Sequence, residues 1–267
     1  MVQEHRTAVN GRIVRYVEAG LGRPAILLHG FPLNADMWRP VLDRVPKGWR
    51  FIAPDFRGFG GASIDGGEVG MDDYANDMLK LMDTLIVGEA VICGLSMGGY
   101  VAFAMFRQAS PRISGLILAD TRSTADDEDG VRGRRALLED VRDKGLAAVA
   151  DQMVPKLLGE TSLRDRADLA AEVRRQILAN PRKGVEAGIY ALMRRPDSTP
   201  DLPRVSCPAL VIVGEEDRVT PRADAEALGR GIRGAEVSVI AKAGHLSALE
   251  APGDFSTTIT RWLASLQ

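Results

Sequence analysis

The chain has 267 residues, 45% of them hydrophobic, enough to bury a large core as one α/β domain with an insertion. Its 34 Lys and Arg against 36 Asp and Glu leave a net charge of −2, which argues against bulk attraction to nucleic acid or to an anionic membrane. Three scattered histidines and two isolated cysteines offer no metal-ligand spacing, so neither a metal nor a cofactor is expected. Cys93 and Cys207 sit in apolar, strand-like stretches and read as free thiols of a reducing compartment. The opening MVQEHRTAVNG lacks the basic and apolar regions of a signal peptide, so a cytoplasmic location is expected.

From the N-terminus, residues 1–19 alternate around Asn10-Gly11, with Ile13, Val14, Tyr16 and Val17 marking an antiparallel hairpin at a sheet edge. Pro24 to Leu28 is a continuous apolar run suited to a strand buried on both faces, ended by His29-Gly30-Phe31-Pro32. Ala35 to Val45 reads as a helix through Met37, Trp38, Val41 and Leu42, and Trp49 to Asp55 as the next strand. In the loop that follows, Asp55-Phe56-Arg57-Gly58-Phe59-Gly60, Asp55 and Arg57 are expected to pair locally and stabilise a turn. Met71 to Val87 is helical in period, with Asp72 and Asp73 at its start, where negative charge is favourable.

Ala90 to Phe106 organises the chain. β-Branched Val91 and Ile92 suit a buried strand, Tyr100 to Phe106 a buried helix, and Gly94-Leu95-Ser96-Met97-Gly98 stands between them. A strand turning straight into a helix strains the residue at the turn, and its neighbours two positions away must lack side chains. That geometry would expose the Ser96 hydroxyl at the tip and aim the Met97 N–H at a developing oxyanion. No Lys follows the glycines, which argues against a nucleotide loop.

The three motifs HGF, D-x-R-G-x-G and GLSMGG together resemble the α/β-hydrolase superfamily. The resemblance implies a mostly parallel sheet flanked by helices, Ser96 as nucleophile, and oxyanion-hole N–H groups from Phe31 and Met97. His29 would then orient its loop through hydrogen bonds, because the family places its general base far downstream.

Ile113 to Ala119 makes another buried strand, ending in Asp120. From 121 to 205 no strand is apparent, only charged helical segments near 131–158, 162–179 and 183–193. This stretch reads as a helical cap inserted between two strands of a core formed by 1–120 and 206–267. Cys207 to Gly214 restores the strand pattern, and Gly214 to Pro221 matches the family's G-x-x-D-x-x-x-P loop. After a last strand, Glu236 to Ile240, comes His245, ahead of a closing helix from Pro252 to Leu266. The order Ser96, Asp217, His245 is the one the superfamily's triad requires. A serine hydroxyl is a poor nucleophile until an imidazole takes its proton, and a carboxylate must hold that imidazole in the right tautomer. Asp217 is the expected acid; Asp120, at another strand's end, and Glu215 and Glu216 are alternatives.

Serine at the elbow argues against the dehalogenase and epoxide-hydrolase branches, which use Asp. His245-Leu246-Ser247 with Glu250 and Pro252 looks like 3-oxoadipate enol-lactonases, while His29-Gly30-Phe31-Pro32 looks like small carboxylesterases and cofactor-free perhydrolases. A carboxylesterase acting on a small-molecule ester is therefore expected, a lactonase is the alternative, and a ligand-binding receptor on the same scaffold is a third reading. Leu33, Trp38, Val219 and Leu246 are expected to contact substrate, and all are apolar. A substrate carboxylate would need a cation. Only the inserted stretch could supply one, from Arg122, Arg194 or Arg195, so short neutral esters are expected to be preferred.

Overall fold

Asn10 and Gly11 both adopt positive φ, 50° and 77°, the conformation a two-residue hairpin turn requires. They join β1 (Gln3–Val9) to β2 (Arg12–Gly20) in antiparallel register, Val9 opposite Arg12. The computed structural model describes residues 1–64 and 68–266; positions 65–67 and 267, within the expected core bounds, lie outside the described residues.

The remaining strands are β3 (Gly22–Leu28), β4 (Gly48–Pro54), β5 (Ala90–Leu95), β6 (Ile113–Ala119), β7 (Ala209–Gly214) and β8 (Glu236–Ile240). Among the described residues they form one eight-stranded sheet, ordered β1-β2-β4-β3-β5-β6-β7-β8. Pairing is parallel from β4 through β8, and β2 joins β4 antiparallel. Every residue of β5 and β7 is buried, as apolar strands covered on both faces must be.

The helices are α1 (Arg39–Leu42), α2 (Met71–Thr84), α3 (Met97–Ala109), α4 (Glu128–Leu157), α5 (Glu160–Asp165), α6 (Ala167–Leu178), α7 (Arg182–Met193), α8 (Arg222–Gly231), α9 (Ser247–Glu250) and α10 (Pro252–Ala264). The helix expected over 35–45 is instead a 3-10 turn, Ala35–Trp38, followed by the single turn α1. Pro40 explains the break, since it has no N–H to offer the carbonyl one turn back. The segment expected to be helical over 131–158 is interrupted at Gly145 (φ 77°), and that over 162–179 is divided at Arg166 into α5 and α6. Helices α4 to α7 all lie between β6 and β7 in the chain. Among the described residues no helix is long and apolar enough to cross a membrane.

The inserted helices touch the sheet layer through glycines. A Cβ on Gly184 of α7 would overlap the Gly58 carbonyl, and one on Gly188 would press on the Phe59 and Phe31 rings at 2.8 and 3.0 Å. Gly58 itself has φ 81°, so the 56–61 loop presents bare backbone to the helix. Overpacking of this kind costs roughly 1–3 kcal/mol. Gly184→Ala should therefore lower the thermal midpoint by several degrees, read by circular dichroism, because the clash is with backbone and no rotamer relieves it. An unchanged midpoint would mean that α7 does not sit against the 58–59 loop.

Candidate active site

The carboxyl ends of β3, β5, β6, β7 and β8 deliver His29-Gly30-Phe31, Ser96, Asp120, Asp217 and His245 to one edge of the sheet, where clefts form in such folds. Ser96 has φ 54° and ψ −113°, a region that non-glycine residues enter only when the surroundings impose it. The surroundings do so through backbone contacts. A Cβ at Gly94 would overlap the Gly98 carbonyl, and one at Gly98 would overlap the Leu28 carbonyl of β3. The turn is tied further by Ser96 N–H donating to Ala119 O at 2.9 Å and by the Thr121 hydroxyl donating to Ser96 O at 2.9 Å.

His245 Nε2 lies 2.8 Å from Ser96 Oγ, and its Nδ1 lies 2.8 Å from Asp217 Oδ2. With Asp217 as acceptor, Nδ1 carries the proton and Nε2 is left to accept from the serine hydroxyl. Asp217 is itself fixed: Oδ1 accepts from Val219 and Thr220 N–H at 2.7 and 3.0 Å, and Oδ2 from the Thr220 hydroxyl at 2.7 Å. Burial pushes the Asp217 carboxyl up, but His245 beside it and the Thr220 donors outweigh burial and hold it below the usual carboxylate range.

The alternative acids go elsewhere. Asp120 accepts from Gly214 N–H at 2.9 Å and from the N–H and hydroxyl of Ser247 at 3.1 and 2.6 Å, so it ties the end of β7 to the residue two beyond His245. Full burial, then the Asp217 charge, raises its carboxyl well above the ordinary value. Glu215 accepts from Lys242 N–H at 3.1 Å, and Glu216 from Thr161 N–H at 2.8 Å.

Gly30 brings its loop against the elbow, since a Cβ there would lie 3.5 Å from Ser96 Cβ. Met97 opens α3, where a helical N–H has no partner within its own helix. The Phe31 N–H follows Gly30 in the loop facing it. His29 is wholly buried, donating from Nδ1 to Gly30 O at 3.1 Å and accepting at Nε2 from Phe56 N–H at 3.1 Å. Asp55 and Arg57 do not pair with each other, contrary to the expectation from sequence. Asp55 is buried against Arg15 (3.1 Å) and accepts from Ala35 and Gly61 N–H at 2.7 and 2.8 Å, while Arg57 pairs with Asp77 of α2. Adjacent backbone N–H groups and a partner on another element satisfy each charge better than a near neighbour can.

Of the apolar residues expected at the substrate, Leu33, Trp38 and Leu246 are fully buried, Trp38 against the Phe255 ring of α10 at 6.0 Å. Val219 is half-buried and lines a cavity with Arg122. Arg194 pairs with Glu68 in the open, and Arg195 is buried against Asp126 (2.8 Å) and over the Tyr100 ring at 4.3 Å. Among the described residues no three His, Cys, Asp or Glu side chains could hold a metal ion.

The family model described as the alpha/beta hydrolase fold matches residues 24–252. The chain belongs to the α/β-hydrolase family. A thermophilic esterase from Thermogutta terrifontis superposes on this hydrolase with a TM-score of 0.94, at 38% identity over 99% of both chains. An enol-lactonase from Burkholderia xenovorans superposes at 0.89, 27% identical over 97% of this chain and all of its own. In sequence, 3-oxoadipate enol-lactonase 2 from Acinetobacter baylyi is 27% identical over 89% of this chain and 87% of its own.

Three polar residues of this hydrolase escaped the reading of the sequence. Thr220 sits between two motif positions, and only its contacts with Asp217 and, at 3.2 Å, with His245 Nδ1 mark it. Asn180, ahead of Pro181, donates to Pro32 O at 2.7 Å and accepts from Gly60 N–H at 2.8 Å, pinning the inserted helices to both loops beside the elbow. Glu250, read only as part of a motif, accepts from Gly244 and Leu246 N–H on either side of His245, and from Gly159 of the insertion at 2.8 Å.

Burial drives His29 down to about 4 from an ordinary value near 6.5. Between those values the unfolded chain binds a proton that the folded one refuses, so this stabilisation is complete above about pH 6.5 and is lost as pH falls toward 4. Urea unfolding should show a wild-type loss between pH 7 and 4.5 exceeding that of His29→Asn by about 2–3 kcal/mol, from 1.36 kcal/mol per unit. Parallel pH dependences would remove His29 from this role.

Proposed function

We propose that this α/β hydrolase cleaves small carboxylic esters through an acyl-enzyme intermediate, with Ser96, His245 and Asp217 as its triad. The observation that carries the reading is the single imidazole 2.8 Å from both a strained, half-exposed serine hydroxyl and a buried, ionised carboxylate. Ser96 Oγ attacks the ester carbonyl carbon while its proton passes to His245 Nε2; Asp217 keeps Nδ1 protonated and stabilises the imidazolium. The N–H groups of Phe31 and Met97 take the oxyanion, whose charge they meet without reorganisation. Collapse expels the alcohol with the proton from His245, and water, activated by the same imidazole, releases the acid. Residues 121–205 act as the cap over this cleft, and Leu33, Trp38, Val219 and Leu246 as the apolar surroundings of the substrate.

The 38% identity to an esterase over the whole chain favours an ester. Lactone opening is the alternative, because a lactone is a cyclic ester and two relatives carry that activity in their names. A binding receptor would have no need of the Ser96–His245–Asp217 geometry.

Ser96→Ala should reduce p-nitrophenyl butyrate turnover by several orders of magnitude with an unchanged circular dichroism spectrum. Activity above about a tenth of wild type would sink the nucleophile assignment. Asp217→Asn should lower kcat about 10³- to 10⁴-fold through the wrong imidazole tautomer. Asp120→Asn, which touches no imidazole, should cost far less, and equal losses would refute the choice of acid.

A further inference from the structure

A cavity of about 260 Å³ lies beside Val219, walled by the 121–127 segment and by both halves of α4. Three cations line it, Arg122, Arg134 and Lys156, against one carboxylate, Asp126. Asp126 is already shared between Arg134 at 3.3 Å and Arg195 at 2.8 Å. Among the described residues no carboxylate pairs with Arg122 or Lys156 within 4.0 Å. Arg122 reaches the Val219 carbonyl only at the long distance of 3.5 Å and the Tyr100 hydroxyl beside it, with Asp224 farther off, and its Nε is buried without a partner. A half-buried guanidinium with a buried Nε left over and no described carboxylate within 4.0 Å can take an anionic acceptor in addition to the neutral oxygens it already has.

The cavity adjoins the catalytic cluster through two covalent neighbours. Arg122 follows Thr121, whose hydroxyl holds the Ser96 carbonyl, and the N–H of Val219 holds Asp217. Leu137, Met153 and Leu157 make the other walls apolar, so that a short methylene chain would be covered while its charged end met Arg122.

The geometry points to an anion subsite at Arg122, with Arg134 and Lys156 around it, that receives the carboxylate of an ester or lactone whose other carbonyl is attacked by Ser96. The inference rests on the ester-hydrolase reading and names the substrate class: half-esters of short dicarboxylic acids, or lactones bearing a carboxylate. It reverses the expectation of a neutral substrate, which rested on the apolar motif positions and treated Arg122, Arg194 and Arg195 as solvated surface.

The test compares kcat/KM for monoethyl glutarate and ethyl valerate, which differ in a terminal carboxylate against a methyl. Wild type should prefer the half-ester by about tenfold or more, the range that a charged hydrogen bond supports. Arg122→Gln should abolish most of that ratio through KM, and Arg122→Lys should retain part of it. Lys156→Gln, at an exposed helical position, should reduce the ratio by a smaller factor, which keeps the inference open to refutation if the Arg122 variants do not fold. Added NaCl should raise KM for the half-ester and leave that for ethyl valerate in place. Glutarate should compete with the half-ester; inhibition that does not compete would assign the cavity to a free anion and overturn the substrate role. A wild-type ratio near one, or a ratio indifferent to Arg122→Gln, would overturn the subsite while the ester-hydrolase reading stands. No Ser96-dependent turnover of either ester would overturn both.

Discussion

The close approach of three backbones at Gly94, Gly98 and Leu28 is the constraint on which the site depends. Because neither glycine can carry a Cβ, α3 begins within van der Waals distance of β3, and the residue between must take up the bend. Ser96 does so at φ 54°, and the strain is offset by the packing of β5 and α3, buried almost throughout. The position of the hydroxyl is thus set by main-chain sterics before any side chain of the cluster is considered. The loop after β3 gains from the same contact, since the strand that abuts Gly98 runs on into His29 and Gly30.

Buried carboxylates do for the loops what glycines do for the elbow. Asp55, Asp120, Asp217 and Glu250 are each less than a tenth exposed, and each gathers backbone N–H groups from loops at the sheet's carboxyl edge. Such loops leave donors unsatisfied, and a short acidic side chain can accept two or three of them at once. The four are not electrostatically alike. Asp217 has the His245 ring and the Thr220 donors within reach, which hold its carboxyl low, whereas Asp120 faces no imidazole and its charge is disfavoured by burial and by Asp217 itself. Two carboxyl groups of the same cluster are therefore shifted in opposite directions, and only one of them faces the imidazole.

Strands and the elbow were legible in the sequence because their signals are local: apolar runs for β3, β5, β6 and β7, and paired glycines for the turn. The choice of Ser96, Asp217 and His245 came from the resemblance of their motifs to the α/β-hydrolase superfamily, and the structure brings those three side chains together. What local pattern does not carry is pairing across elements. Arg57 bonds Asp77, twenty residues on, and Asn180 bonds Pro32 across 148 positions; no periodicity encodes either. Helix ends in the insertion were likewise hidden, since the break at Gly145 needs only one residue at positive φ.

The insertion is fastened at two polar points to the loops that carry Phe31, Asp217 and His245. On one side Asn180 joins Pro32 to Gly60; on the other, Gly159 N–H reaches Glu250 and Thr161 reaches Glu216, on the loops of His245 and Asp217. A transplanted set of helices from another hydrolase would thus have to return an amide side chain at the first point and a backbone donor at the second. The unit open to exchange is bounded by those contacts, and a graft cut only by secondary structure would leave Glu250 and Pro32 facing unfilled hydrogen-bond positions.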